Sequence, residues 1–153
     1  MKLILTQQPD IPEPTVEIVY AELDDRLKKL IVSLKKSGES IFCIRTDNES
    51  KHRVLISDIY YIEVMERKTF VYTGSEVFRS KMKFTELLDM LRPYGFVQVN
   101  RNCIINVDVL DDINMTTHRK ADAILENGEK VIVSRAFMHD IITAFGVRTE
   151  GIR

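Results

Sequence analysis

The apolar positions of the first forty residues follow two different periods. Between Thr15 and Tyr20 (TVEIVY) they alternate, which predicts a strand. From Leu23 they lengthen to a helical spacing through Leu27, Leu30, Ile31 and Leu34. Asp24 and Asp25 open that helix, Lys35 and Lys36 close it, and Gly38 follows as a stop. Those placements suit the helix dipole. Upstream, Pro9-Asp10-Ile11-Pro12-Glu13-Pro14 holds three of the four prolines and reads as an extended connector. Residues 1–39 are thus expected to form an N-terminal extension of one strand and one helix.

From Ser40 onward short β-rich runs dominate. They are Ile41–Arg45, His52–Ile56, Ile59–Met65, Phe70–Tyr72 and Val77–Met82, then Phe96–Val99, Cys103–Val107, Ile113–Thr117, Ala121–Leu125 and Lys130–Val133. Asn127-Gly128 is the strongest turn signal, because a tight hairpin needs positive φ and these residues adopt it with little strain. Two helical patterns interrupt the strands. Phe84, Leu87, Leu88 and Leu91 form one face, closed by Pro93. Met138, Ile141, Ile142 and Phe145 form the other, with Ser134 as N-cap and Gly146 as stop. The expectation is a mainly β domain with a few helices over residues 40–153.

The chain has 153 residues, which fits one domain with a short extension. Folding at this length buries roughly 70% of the unfolded surface, so no disulfide or metal is needed to hold a core. Lys and Arg total 22 against 23 Asp and Glu, a net charge of −1. That balance excludes a disordered polyelectrolyte and a uniformly basic nucleic-acid coat, and leaves a local basic site open. Cys43 and Cys103 sit in apolar runs without CxxC or zinc spacing and read as reduced core thiols of a cytoplasmic protein. The run Leu3 to Leu5 is interrupted by Thr6, Gln7 and Gln8 and does not read as a signal peptide. No stretch approaches the roughly 18 apolar residues of a membrane span.

An enzyme needs converging titratable groups, and none stand in a recognisable spacing. His52, His118 and His139 are far apart and form neither HExxH nor HxH. A Cys103–His139 pair is conceivable, but Cys103 lies in the apolar run Cys-Ile-Ile and reads as a packing residue. The six glycines are scattered singly, with no Walker A, GxGxxG or GxSxG loop. Asp108, Asp111 and Asp112 lack the alternating carboxylates and glycine of a cation loop and read as a solvated turn. No catalytic residue, metal, cofactor or small-molecule substrate is expected.

The segment Gly95-Phe96-Val97-Gln98-Val99-Asn100-Arg101-Asn102-Cys103-Ile104-Ile105-Asn106 resembles the signature of LytTR DNA-binding domains, usually G-F-x-R-x-H-R-S-x-x-V-N. Ile56-Ser57-Asp58-Ile59-Tyr60-Tyr61-Ile62-Glu63 resembles that family's L-x-D-I-x-Y-I-E strand. Phe78 to Leu91 resembles its next strand and helix, and Asn127-Gly128 with Val133-Ser134-Arg135 resembles its ending. The likeness runs from about Ser40 to Phe145. It implies small stacked β-sheets whose loops enter DNA grooves, in a bacterial transcription regulator that binds repeated double-stranded sites as a homodimer and bends them. Most members carry a receiver domain. The N-terminal extension is far too small for one, so the chain resembles the stand-alone kind. Its input would then be a partner, often a membrane protein in this family, or its own concentration.

By the same resemblance, three loops supply the DNA contacts. Arg67, Lys68 and Thr69 follow the Tyr-Ile-Glu strand. Asn100, Arg101 and Asn102 occupy the His-Arg-Ser positions, and Ser134 and Arg135 form the closing pair. Arg can bond guanine O6 and N7, and Asn can bond adenine N6 and N7. Lys68 and Thr69 suit phosphates, and Ser134 at a helix start adds backbone N–H groups. Without the resemblance, Arg101 reads as a polar turn and Arg67-Lys68 as a solvated loop. Arg79, Lys81 and Lys83 share one strand face, either as edge protection or near the DNA backbone. Arg119-Lys120 reads as surface charge. Gln98, Asn100 and Asn102 depart from the family's Arg, His and Ser. They either retune sequence preference or weaken DNA binding, so the alternative is a protein-interaction module that keeps the fold.

Residues 1–39 carry six basic and seven acidic side chains, and residues 40–153 carry 16 of each. A DNA reading therefore requires charge separation. Arg67, Lys68, Arg101 and Arg135 must gather on one face, with Asp108, Asp111 and Asp112 elsewhere. The extension either pairs with a second copy or covers a sheet.

Overall fold

The computed structural model describes residues 1–152, with side chains through Gly146; the expected domain limit at 153 lies outside the described residues. The elements are α1 (Asp25–Lys36), β1 (Ser40–Arg45), β2 (Lys51–Leu55), β3 (Ile59–Met65), β4 (Lys68–Thr73), β5 (Val77–Ser80), α2 (Phe84–Leu91), β6 (Phe96–Asn100), β7 (Cys103–Asn106), β8 (Leu110–Met115), β9 (Ala121–Leu125), β10 (Lys130–Val133) and α3 (Met138–Ile152). One sheet has seven strands in the order β2-β1-β5-β4-β3-β7-β6, the other three in the order β10-β9-β8. Their pairings are antiparallel.

Strand β7 divides two cores. All four of its residues are buried, which is why Cys-Ile-Ile reads as an unbroken apolar run rather than an alternation. Ile104 packs with Ile59, Ile62, Val71, Phe78 and Phe96. Leu87, Leu88 and Leu91 of α2 close that core. Cys103 and Ile105 face the other way, toward Val99, Leu110, Leu125, Val133 and Ile141. Ala121 and Ala123, both fully buried, let the small sheet approach closely. Cys43 belongs to the first core and Cys103 to the second, so the two free thiols stand apart. Burial pushes the Cys43 thiol up to about 11. Burial first, then the Glu63 charge, raises Cys103 as well.

Helix α1 is capped by Asp24, whose carboxylate accepts from the Leu27 N–H at 2.8 Å. Its last residue, Lys36, is 3% exposed. The Lys36 ammonium donates to Asn106 Oδ1 at 2.7 Å and to Asp108 Oδ2 at 3.0 Å, and lies 4.9 Å from the Phe96 ring centre. Asn106 is fully buried; its amide donates to the Ile59 carbonyl at 2.9 Å. The extension is thereby pinned to the far end of β7, and α1 also packs on α3 and the Arg92–Tyr94 turn.

Three expectations differ from what forms. Thr15–Tyr20 is in no sheet, and all of it but Ile18 is exposed. Alternation makes a strand only where a neighbour supplies backbone partners, and this segment pairs with no strand. Gly146 does not stop α3, which runs through it; an isolated glycine inside a helix costs only about 1 kcal/mol. Ser134 stands at the cap position of a 3-10 turn, Arg135–Phe137, but its side chain makes no cap bond. There the tight turn closes through the backbone, with Phe137 N–H donating to the Ser134 carbonyl at 2.9 Å.

Candidate nucleic-acid interface

Strand register decides which loops meet. In the β3–β7 pair Glu63 lies opposite Cys103, so the turn after β3 and the turn before β7 share one end of the large sheet. The Val64 N–H donates to the Asn102 carbonyl at 2.8 Å and ties the two turns together. The Ser134 N–H donates to the Val99 carbonyl at 2.9 Å, and the Asn100 amide donates to the Ile132 carbonyl at 2.8 Å. These bonds bring the end of β10 to the same place. The three candidate loops, over 30 residues apart in sequence, therefore converge on one pole.

The β3–β4 connection is a two-residue hairpin turn. Glu66 and Arg67 both take positive φ, 50° and 66°, and Met65 pairs with Lys68. Arg67 and Lys68 are exposed. Thr69 is not: it is 7% exposed, because alternation along β4 turns it inward. Little of it is thus left open for the phosphate contact expected of its hydroxyl. In the β6–β7 turn Arg101 and Asn102 are exposed. Asn100 is engaged within the protein: besides its bond to Ile132 O, its Oδ1 accepts from the Asn102 N–H at 2.9 Å. Gln98 likewise donates to the Asn100 carbonyl at 3.1 Å. Arg135 is exposed and Ser134 half-buried.

Cations that read as plain surface charge also reach this pole. In the small sheet Met115, Ala121 and Val133 are in register, so the β8–β9 turn stands beside Ser134. That turn carries Arg119 and Lys120, both exposed, and both His118 and Arg119 have positive φ, 62° and 60°. Ser80 pairs with Thr69, so Lys81 emerges near Lys68. Arg79 is committed to Glu49 at 3.6 Å. The signal for Arg119 and Lys120 is the residue count back from Ser134 through the β9–β10 hairpin, visible only once the pairing is known.

Of the acids expected elsewhere, Asp108 and Asp112 are at the other end, while Glu63, opposite Cys103, and Asp122, next to Ala121, stay at the cationic end. Asp108 binds Lys36, and Asp112 pairs opposite Ile124, toward the Asn127-Gly128 turn. Gly128 has φ +85°, as that turn requires. Glu66 remains beside Arg67 in the hairpin tip. The Cys103 thiol faces the Ile104 carbonyl at 3.8 Å and is held protonated by burial, which argues against a nucleophile. Among the described residues no three His, Cys, Asp or Glu side chains gather as a metal site. No helix among them is long and apolar enough to cross a membrane.

The profile of the LytTr DNA-binding domain matches residues 49–146, and the chain belongs to that family. Its members are DNA-binding domains of transcription regulators rather than a class of enzyme. The chain is 38% identical over 58 residues to the transcriptional regulatory protein YpdB of Escherichia coli K12, covering 38% of this chain and 24% of that protein. It is 26% identical over 90 residues to the sensory transduction protein LytT of Enterococcus faecalis, covering 59% and 37%. It thus spans about a quarter of YpdB and little more than a third of LytT. A Staphylococcus aureus protein named as an HTH-type transcriptional regulator is 20% identical over 141 residues, 92% of this chain and 95% of that one. A solved LytTr DNA-binding domain from Bacillus cereus superposes with a TM-score of 0.65 at 24% identity, over 72% of this chain and 99% of that domain. The fold is that of a LytTr domain.

Proposed function

We propose that this chain is a sequence-specific transcription regulator that inserts three turns into DNA grooves at repeated sites, as a homodimer. The observation that carries this reading is the convergence of exposed Arg67, Lys68, Arg101 and Arg135 from three separate loops on one pole. Arg101 and Arg135 are assigned to guanine edges and Asn102 to adenine. Lys68 holds phosphate, joined by Arg119 and Lys120. Ser134 contributes backbone donors, and Asn100 positions the Arg101 turn. Residues 40–153 are the DNA-binding domain and residues 1–39 an extension. The protein is cytoplasmic, works without a cofactor, and takes its input from a partner such as a membrane protein or from its own concentration.

In vitro selection from a random DNA pool supplies the site, and a mobility shift on that site tests the residues. Arg101→Ala and Arg135→Ala should each weaken binding by about 1–3 kcal/mol. Unchanged affinity in both variants would remove those residues from the interface.

A second reading is favoured by the Asn100 and Gln98 side chains, which bond within the protein instead of reaching outward. It is a LytTr fold retained as a protein-interaction module. No selected sequence and no binding at low salt, together with a recovered protein partner, would favour it over DNA recognition.

A further inference from the structure

Ten of the seventeen exposed large hydrophobic residues, among those with described side chains, fall within the first 39 positions. Helix α1 explains part of that imbalance, because Leu34 in it and Leu23 just ahead of it stay exposed. A surface helix normally turns its apolar stripe inward and its lysines outward. In α1 Lys36 is buried at the domain, and Asp25, Lys28, Lys29 and Val32 line a cavity of about 430 Å³ against Phe96, Val97 and Ala144. Leu27 alone of the stripe is buried. Leu30 and Ile31 are half-covered, Leu34 is 39% exposed, and Leu23 just ahead of the helix is 41% exposed.

We propose that this stripe is the contact between two copies of the chain, with the α1 helices paired antiparallel about a two-fold axis. Leu23, Leu30 and Leu34, spaced by seven and four, keep the period of a heptad seam on the side left open, with Leu27 between them already covered by the chain itself. Charge selects the orientation. Glu22, Asp24 and Asp25 stand at the start of α1 and Lys35 at its end. Antiparallel pairing sets Lys35 of each copy over the acidic start of the other and opposes the two helix dipoles. Parallel pairing would set acid against acid. The stripe lies beyond the Asn106 end of β7, away from the Arg101 turn, so pairing leaves the cationic pole open.

The contact is small. Leu23, Leu30, Ile31 and Leu34 fall well short of the roughly 800 Å² per partner of a standard stable interface. Association in solution is therefore weak and shows mainly as cooperativity when two copies sit on adjacent sites, where tethering raises their effective concentration. This last consequence rests on the DNA-binding reading; the helix pairing itself does not.

Two measurements on the full chain separate them. Sedimentation over a wide concentration range, without DNA, should show a reversible monomer–dimer equilibrium. Leu34→Glu should raise its dissociation constant about tenfold or more, while circular dichroism stays unchanged. Titration of one-site and two-site DNA should lose cooperativity in Leu34→Glu, with one-site affinity within about twofold of the parent. Leu23→Glu, at an exposed position outside the helix, repeats the test should Leu34→Glu disturb folding. Loss of self-association in the variants without any DNA binding by the parent would keep the helix pairing and sink the regulator reading. One-site DNA binding by a chain that is monomeric at every concentration and non-cooperative on two sites would do the reverse. Parent-like self-association in both variants would also overturn the pairing and give the stripe to another partner.

Discussion

Arg67 sits where the backbone gives it no advantage. Its φ of 66° and that of Glu66, 50°, belong to a turn usually made by Asn-Gly. A side chain in that region costs about 1 kcal/mol or more, so a cation at this tip is paid for in strain. Arg67→Gly relieves that strain and adds about 0.5–1 kcal/mol of unfolded-state entropy. The two nearly cancel, so urea unfolding should find stability within about 1 kcal/mol of the parent. DNA affinity should fall in the same samples. A marked loss of stability with unaltered affinity would show that the residue serves the fold. At this scale much of the candidate site was legible, since Arg67, Lys68, Arg101, Asn102 and Arg135 all emerge exposed. Thr69 and Asn100 were not legible in the same way. Whether a side chain at a sheet edge points outward or bonds across to Ile132 depends on a strand 32 residues away.

Helix α1 illustrates what periodicity can say about an element and what it cannot. Leucine spacing predicts the helix with Asp24 and Asp25 at its start; the helix forms, and Asp24 proves to be its cap. Nothing in the spacing says that Lys36 is buried while Leu34 stays exposed. Lys36 is buried but its partner Asp108 keeps half its side chain exposed, so water screens that ion pair. The bond to Asn106 Oδ1, in a fully buried amide, is the larger contribution. Lys36→Ala removes it and should destabilise the protein by about 1–3 kcal/mol in a urea titration. Lys36→Met, which keeps an apolar stem over Phe96, should recover part of that loss. Equal stability in all three proteins would mean that α1 is not held at this point. The Thr15–Tyr20 segment is the converse case: a strand pattern that joins neither sheet.

For the whole molecule, a net charge of −1 conceals an arrangement. Cations of several turns gather at one pole, and Asp108 and Asp112 lie toward the other. If Arg101 and Arg135 read bases, Lys68, Arg67, Arg119 and Lys120 leave roughly four phosphate contacts per protomer. One-site DNA affinity should then fall with salt at a logarithmic slope of about −3 to −4. Removing Arg119 and Lys120 together should flatten the slope by about 1–2 with little change in sequence preference. A slope near zero in the parent would show that the pole does not engage phosphates.

The sequence alone determined the kinds of element and their order, because strand and helix periods are local properties of neighbouring side chains. Ten strand runs and the α2 face came from that source, as did the turn at Gly128 and the residues that mark the LytTr likeness. Only the tertiary structure decided which turns share a pole, which face of α1 turns outward, and which polar residues are spent inside the protein. Each of those depends on pairing between residues tens of positions apart, such as Val64 with Asn102 or Lys36 with Asn106. Long-range register of that kind leaves no trace in the local spacing of apolar and polar positions.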